Sequence, residues 1–344
     1  MQTGTSYDGL SLERQNALAH AIQSNVPFES RPFAALGQRL GVSEADVLEQ
    51  LDAWRGEAKL REISAILEGS ALGYDSALVA GEVPVARLDE VAAIVNGHPT
   101  VTHNYLRNHP YNLWFTIAVP TEMGLERTLE ILAARASVPA FHALRRTHTF
   151  KVGVNFDLVS KTSTTSVVKL EAAVPVTPSA RDKQLFRAIQ TPLPLLERPF
   201  ASLAERFDLE ESELLSFAQG HLGNAMRRYV ATFRHRQLGV SGNGMVVWQV
   251  PAEDLPRLGP LLAQAPEVSH CYARNAIPGF PYTLYSMLHG PSEDACRDIA
   301  AGISQRLGVT SYLILFSSRE FKKCRLRYFL PELDAWWREH AGGA

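Results

Sequence analysis

Apolar residues in the first seventy positions recur at helical spacing. Leu12 to Ile22 opens after Ser11, a residue type suited to capping a helix N-terminus. The run from Arg31 to Ser43 reads as a helix, a tight turn at Gly41 and a new N-cap, and Glu44 to Trp54 follows as a second helix. That succession is the grammar of a helix-turn-helix, and alternation over Leu60 to Leu67 predicts the strand of an attached wing. Beyond Gly73 the period shortens. Ser76 to Val83 predicts a strand, Ala86 to Asn96 a helix with Leu88, Val91, Ile94 and Val95 on its apolar face, and Leu113 to Val119 a strand led in by the polar run from His103. Leu125 to Arg135 predicts a helix and Phe150 to Phe156 a closing strand, so the succession is strand-helix-strand-strand-helix-strand. The expected fold class is α+β, with a winged helix-turn-helix followed by a ferredoxin-like βαββαβ domain.

The second half repeats the first. Arg198 to Phe207 matches Arg31 to Leu40, and His270, Tyr272 and Arg274 match His103, Tyr105 and Arg107, all at an offset of 167 positions. Self-similarity on this scale makes the chain a tandem duplication. The expected layout is helix-turn-helix over 1–70, ferredoxin-like over 71–160, a linker rich in Ser, Thr and Val over 161–178, helix-turn-helix over 179–237 and ferredoxin-like over 238–344. A covalent pseudo-dimer with a two-fold interface between the copies follows, with further dimerisation open.

Composition narrows the function. At 46% hydrophobic and 20% charged, with net charge -2, the chain is an ordinary globular protein without a basic field to recruit nucleic acid or anionic membrane. No apolar run reaches the roughly 20 residues of a membrane helix, Met1 to Leu10 lacks the regions of a signal peptide, and three scattered cysteines fit a reducing compartment. A cytoplasmic location is expected. The recognition helices carry Glu44, Asp46, Glu49 and Asp52 in one copy and Glu210, Glu211 and Glu213 in the other. Those acids would repel phosphates, so no DNA partner is expected despite the fold.

The densest chemistry lies between His103 and Thr116. A Tyr/Trp/Phe-rich strand is usually sheet core, and that ordinary role suits Leu113 and Phe115. His103, Arg107 and His109, three cationic or titratable groups just ahead of an apolar strand, are better placed to bind carboxylates and donate protons. No set of His, Cys and Glu completes a protein-only metal site.

Three motifs carry a resemblance: Tyr-Asn-Leu-Trp-Phe-Thr at 111–116, Phe-Lys-Val-Gly-Val-Asn-Phe-Asp at 150–157 and Arg-Glu-Phe-Lys-Lys-Cys-Arg-Leu-Arg-Tyr-Phe at 319–329. Together they resemble the siroheme decarboxylase family, which shares the Lrp/AsnC regulator fold, and the fused two-unit layout resembles its denitrifier type. The resemblance implies removal of two acetate carboxyls, at C12 and C18, from siroheme, giving 12,18-didecarboxysiroheme on the way to haem d1. It implies no added cofactor, because the tetrapyrrole can act as electron sink and brings its own iron. Siroheme and its mono- and didecarboxylated products are the expected partners.

Under that reading His103, His109, His270 and Arg107 are the candidate catalytic residues, with His103 or His109 also a candidate iron ligand. A substrate with eight carboxylates calls for a cationic rim, here Arg107, Arg145, Arg146, Lys151, Arg274, Arg319, Lys322, Lys323 and Arg325. Tyr111, Trp114, Phe280, Tyr282 and Tyr285 are candidates to pack on the macrocycle face. His289 is an additional candidate in the second copy, and the inserted Ala276-Ile277-Pro278-Gly279 predicts a shaped loop over a pocket. The alternative function is an Lrp/AsnC-like ligand-binding regulator or tetrapyrrole sensor.

Overall fold

A computed structural model describes residues 9–151, 155–156, 163–164, 173–233 and 242–342. In chain order the elements are Leu12–Ser24 (α1), Pro32–Leu40 (α2), Glu44–Gly56 (α3), Leu60–Leu67 (β1), Tyr74–Gly81 (β2), Leu88–Asn96 (α4), His103–Arg107 (β3), Leu113–Pro120 (β4), Leu125–Ala136 (α5), Phe141–Lys151 (β5), Asn155–Phe156 (β6) and Ser163–Thr164 (β7). The second half holds Ala180–Ile189 (α6), Pro199–Arg206 (α7), Glu211–His221 (α8), Met226–Phe233 (β8), Gly242–Trp248 (β9), Leu255–Gln264 (α9), Val268–Arg274 (β10), Leu284–Gly290 (β11), Glu293–Leu307 (α10), Tyr312–Lys323 (β12) and Pro331–His340 (α11). These group into two compact units, one holding both helical triplets with β1 and β8, the other holding the remaining long strands and their helices. Most of the expected linker lies outside the described residues.

In the helical unit the caps are those the sequence offers. Ser43 and Asp46 form a reciprocal capping box at α3, and Ser179 and Asp182 form another at α6, each satisfying backbone donors that the first helical turn leaves orphaned. Arg31 bonds Glu44 in the first copy as Arg198 bonds Glu211 in the second. The two wings do not stand free. β1 and β8 pair antiparallel from Leu60↔Phe233 to Leu67↔Met226, so each satisfies the other's edge.

The second unit is a closed barrel ordered β10-β11-β9-β12-β3-β4-β2-β5, with every neighbouring pair antiparallel. Within each half the last strand pairs with the first and the first with the third. Each second strand then finds the last strand of the other half, β3 with β12 and β10 with β5, and these cross-half ladders close the ring. Alternation sorts the side chains. Val79, Phe115, Val246 and Leu288 point outward under the helices, while Ala80, Trp114, Val247 and Tyr285 fill the lumen.

Strand β5 departs from expectation. The closing strand is Phe141–Lys151, beginning nine residues before the expected Phe150, and residues 152–154 lie outside the described set. His142, Arg145, Arg146 and His148 therefore sit on this strand. Polar residues on the lumen side and register shifts against β10 hide the alternation that would have marked it.

The Phe-Lys pairs at the strand ends lock the halves together. Phe150 lies against Gly259 of α9, where a Cβ would fall 2.3 Å from the ring. Next to it Lys151 donates to the carbonyl of Ala265 at the end of that helix, at 3.1 Å. Lys322 does the same at the end of α4, donating to Asn96 at 2.7 Å, beside Phe321. A lysine on the last carbonyls of a helix bonds orphan acceptors and complements the helix dipole. Gly259→Ala is expected to lower stability by about 1–3 kcal/mol through overpacking. An unchanged thermal midpoint would show that Phe150 can yield.

Candidate active site

The lumen strands β3 and β10 lie four strands apart in either direction around the barrel, on opposite walls. With all neighbours antiparallel, strands four apart run the same way. His103 and His270 therefore lie towards one end and Arg107 and Arg274 towards the other. Side chains alternate along a strand, so each set of His, Tyr and Arg occupies a single face. The two sets have matching geometry. His103 and Tyr105 have ring centroids 6.1 Å apart at 34°, and His270 and Tyr272 6.2 Å at 36°. Arg107 lies 5.7 Å from the Tyr105 ring and Arg274 5.6 Å from that of Tyr272.

A hydroxyl orients each histidine. The Oγ1 of Thr102 lies 3.0 Å from His103 Nδ1 and 2.7 Å from the hydroxyl of Thr116. In the second half Ser269 Oγ lies 3.0 Å from His270 Nδ1 and 2.6 Å from His289 Nε2. With Nδ1 engaged in this way, Nε2 is the nitrogen of each ring not bound to that hydroxyl. The hydroxyls escaped the sequence reading, although Thr102-His103 and Ser269-His270 repeat at the same offset.

Arg107 and Arg274 serve the barrel as well. Arg107 Nη1 donates to the carbonyl of Leu315 at 2.7 Å, and Arg274 Nη1 to that of Leu144 at 2.7 Å. The next residues complete the clasp: Phe316 N–H donates to Asn108 Oδ1 and Arg145 N–H to Asn275 Oδ1. Arg107 is buried and Arg274 half-buried, and Nε of each is buried with no hydrogen-bond partner among the described residues. Burial holds both pKa values down, that of Arg107 to about 10. A buried cation without an anion is unfavourable, and a carboxylate would relieve it.

Above the clasps the lumen is plugged by rings. Trp114 and Phe280 are fully buried with centroids 5.5 Å apart, Tyr285 is buried beside them, and Phe280 meets Tyr282 at 4.8 Å. Tyr111 donates its hydroxyl to the carbonyl of Pro278 at 2.7 Å, tying the inserted loop down. Of that loop only Ile277 packs, half-buried, against the lumen rings, while Ala276, Pro278 and Gly279 are exposed. Trp114, Phe280 and Tyr285 are core here, and Tyr111 and Tyr282 are half-exposed. His109 stacks on Tyr111 and its Nδ1 accepts the Tyr111 backbone N–H at 3.0 Å. Burial lowers its pKa. With Nδ1 taken by that N–H, Nε2 is the ring nitrogen left for a proton-donor or iron-ligand role.

Several expected rim cations have other work. Arg145 bonds Asp75 and Glu126, which raise its pKa further. Arg319 bonds Asp89 of α4 at 2.6 Å and lies over Phe321. Lys151 and Lys322 are the helix clamps, both with pKa lowered by burial. Exposed Arg146 sits 5.8 Å from the Tyr272 ring, exposed Lys323 pairs opposite His103, and Arg325 follows half-buried. His289 is exposed at the end of β11. Among the described residues no group of three or more His, Cys, Asp or Glu is arranged to hold a metal, and no helix is long and apolar enough to cross a membrane.

Fold and site together define an AsnC-like protein with a helix-turn-helix unit and a closed barrel that carries two matched His-Tyr-Arg sets. The model for the AsnC-like ligand binding domain matches residues 71–151 and 237–322, and that for the siroheme decarboxylase NirDL-like HTH domain matches 15–61 and 182–221. The siroheme decarboxylase of Hydrogenobacter thermophilus is 37% identical over 321 residues, covering 92% of this chain and 96% of the relative. A crystal structure of the siroheme decarboxylase NirDL is similar at a TM-score of 0.78 and 34% identity, covering 96% of this chain and 98% of the other. A second, in co-complex with an iron-uroporphyrin III analogue, matches at 0.78 and 33%, over 96% and 99%. This chain belongs to the siroheme decarboxylase family.

Proposed function

We propose that this protein decarboxylates siroheme, releasing the acetate carboxyls at C12 and C18 as CO2 to give 12,18-didecarboxysiroheme for haem d1 synthesis. The observation that carries this is the pair of matched His-Tyr-Arg sets facing each other across one lumen. A reaction performed twice on one macrocycle suits a site built twice. We read the two copies as a tandem duplication of one helix-turn-helix and one ferredoxin-like domain, a reading supported by the repeated clasps, clamps and caps.

Each step converts an acetate carboxylate and one proton into a methyl group and CO2. The electrons of the broken C–C bond pass into the tetrapyrrole, so no added cofactor is required. The protein's part is binding, orientation and proton supply. Arg107 and Arg274, each with a buried Nε and no salt-bridge partner among the described residues, are suited to holding carboxylates by charge-assisted hydrogen bonds, with Arg146, Lys323 and Arg325 towards the outside. His103 and His270, each fixed at Nδ1 by a hydroxyl, are suited to donate from Nε2 to the new methyl carbon.

Regulation of DNA is the competing role of the fold, and two observations weigh against it. The wings are paired with each other, and Asp46 of the acidic recognition helix is committed to its own cap. Anaerobic incubation with siroheme, followed by mass analysis of the tetrapyrrole, tests the proposal. Loss of two CO2 without additives is expected; tight binding with no mass change, together with retention on DNA, would replace the enzyme with a regulator.

A further inference from the structure

We propose that Ser269 is a proton-relay residue that couples the exposed His289 to His270, giving the second-half site a histidine-backed proton relay where the first half has the hydroxyl of Thr116. This rests on the decarboxylase reading above. The serine hydroxyl lies between two imidazole nitrogens, 3.0 Å from His270 Nδ1 and 2.6 Å from His289 Nε2, with the Met287 carbonyl a weaker third contact at 3.4 Å. A hydroxyl has one proton to give. If it donates to His270 Nδ1, then His289 Nε2 must carry a proton and donate to Oγ; if it donates to His289, the roles reverse. The tautomers of the two rings are therefore tied together through one buried oxygen, while His289 itself reaches water.

The transfer balances. His270 gives its Nε2 proton to the methylene carbon as the C–C bond to CO2 breaks and its electron pair is delivered through the ring system. The Ser269 O–H proton moves to His270 Nδ1, the His289 Nε2 proton moves to Ser269 Oγ, and His289 takes a proton from water at Nδ1, so that both rings end neutral in the opposite tautomer and are reset by exchange with water before the next turnover. One solvent proton replaces one CO2. In the first half the equivalent hydroxyl, Thr102, meets His103 Nδ1 at 3.0 Å and then the hydroxyl of Thr116 at 2.7 Å, where the second half has a histidine. The two sites thus share an orienting hydroxyl and differ in what stands behind it.

Single-turnover reactions of Ser269→Ala, Ser269→Thr and His289→Gln with siroheme separate relay from support. Thr is a fair replacement because the first half uses Thr at the same place. Ser269→Ala and His289→Gln are expected to accumulate monodecarboxylated product, with one CO2 released at least about tenfold more slowly, consistent with loss of a proton-transfer group. Ser269→Thr is expected to stay near the parent rate, and thermal midpoints to be unchanged in His289→Gln. Parent-like kinetics in Ser269→Ala from an active parent would overturn the relay. If the parent releases no CO2, the decarboxylase reading fails by itself. The coupling is then read from histidine Cε1–H NMR titrations, where His289→Gln should displace the His270 curve in the parent and not in Ser269→Ala. No displacement in the parent overturns the relay whatever the activity.

Discussion

Alanine at both His103 and His270 is expected to leave a folded protein that still binds siroheme and decarboxylates it about 10²–10⁴-fold more slowly, the range for loss of a positioned proton donor. Both rings are half-exposed in the lumen and outside its packed plug, so their removal opens no core cavity. Binding is retained because the guanidiniums of Arg107 and Arg274 stay in place. Each single variant should stall at one carboxyl, leaving a product lighter by one CO2. Quantifying the tetrapyrroles after anaerobic single turnover checks this. Parent rates in the double variant would remove the histidines from the proton-donor role and direct attention to Tyr105 and Tyr272.

The second large effect concerns acid stability. His98 is fully buried, its Nδ1 accepts from the Thr100 backbone N–H at 3.3 Å, and its ring meets Trp336 edge-on at 4.3 Å. Burial, with Lys322, Arg135 and His340 nearby, lowers its pKa from 6.5 to about 3. Between those values the unfolded chain binds a proton that the native state refuses. Stability therefore falls as pH drops below 6.5, by up to about 1.4 kcal/mol per pH unit for this one group, and levels off below the folded value. Carboxylates add to the same trend, so the difference between parent and His98→Phe isolates the contribution. Denaturant melts from pH 6.5 to 4 should show a flatter decline for His98→Phe. Parallel declines would mean that His98 titrates normally.

What the sequence made legible was periodic or repeated. The helix-turn-helix helices are set by spacing and caps such as Ser43, and the 167-residue offset by itself brings His103 and His270 into correspondence. The rest depended on partners distant in the chain. Lys151 and Lys322 look like substrate cations until the helix ends they bond, at Ala265 and Asn96, come into view. Arg107 could be assigned to chemistry, but its burial and its bond to Leu315 arise only when β12 closes on β3. Ser269 and Thr102 left only the faint signal of a hydroxyl residue repeated ahead of each histidine, because a serine or threonine gains meaning from the ring it touches.

The cross-half ladders also set the terms on which this barrel can exist. A half expressed alone would present two strand edges with unpaired backbone donors and acceptors, a template for indiscriminate association. Halves made as separate chains would have to meet, and their stability would fall on dilution. Joining them makes ring closure a first-order event with fixed one-to-one stoichiometry, whatever the expression level. It also excludes pairing between like halves within the finished molecule. The second half can then keep His289 behind its hydroxyl while the first keeps Thr116, without either arrangement being diluted by symmetric combinations.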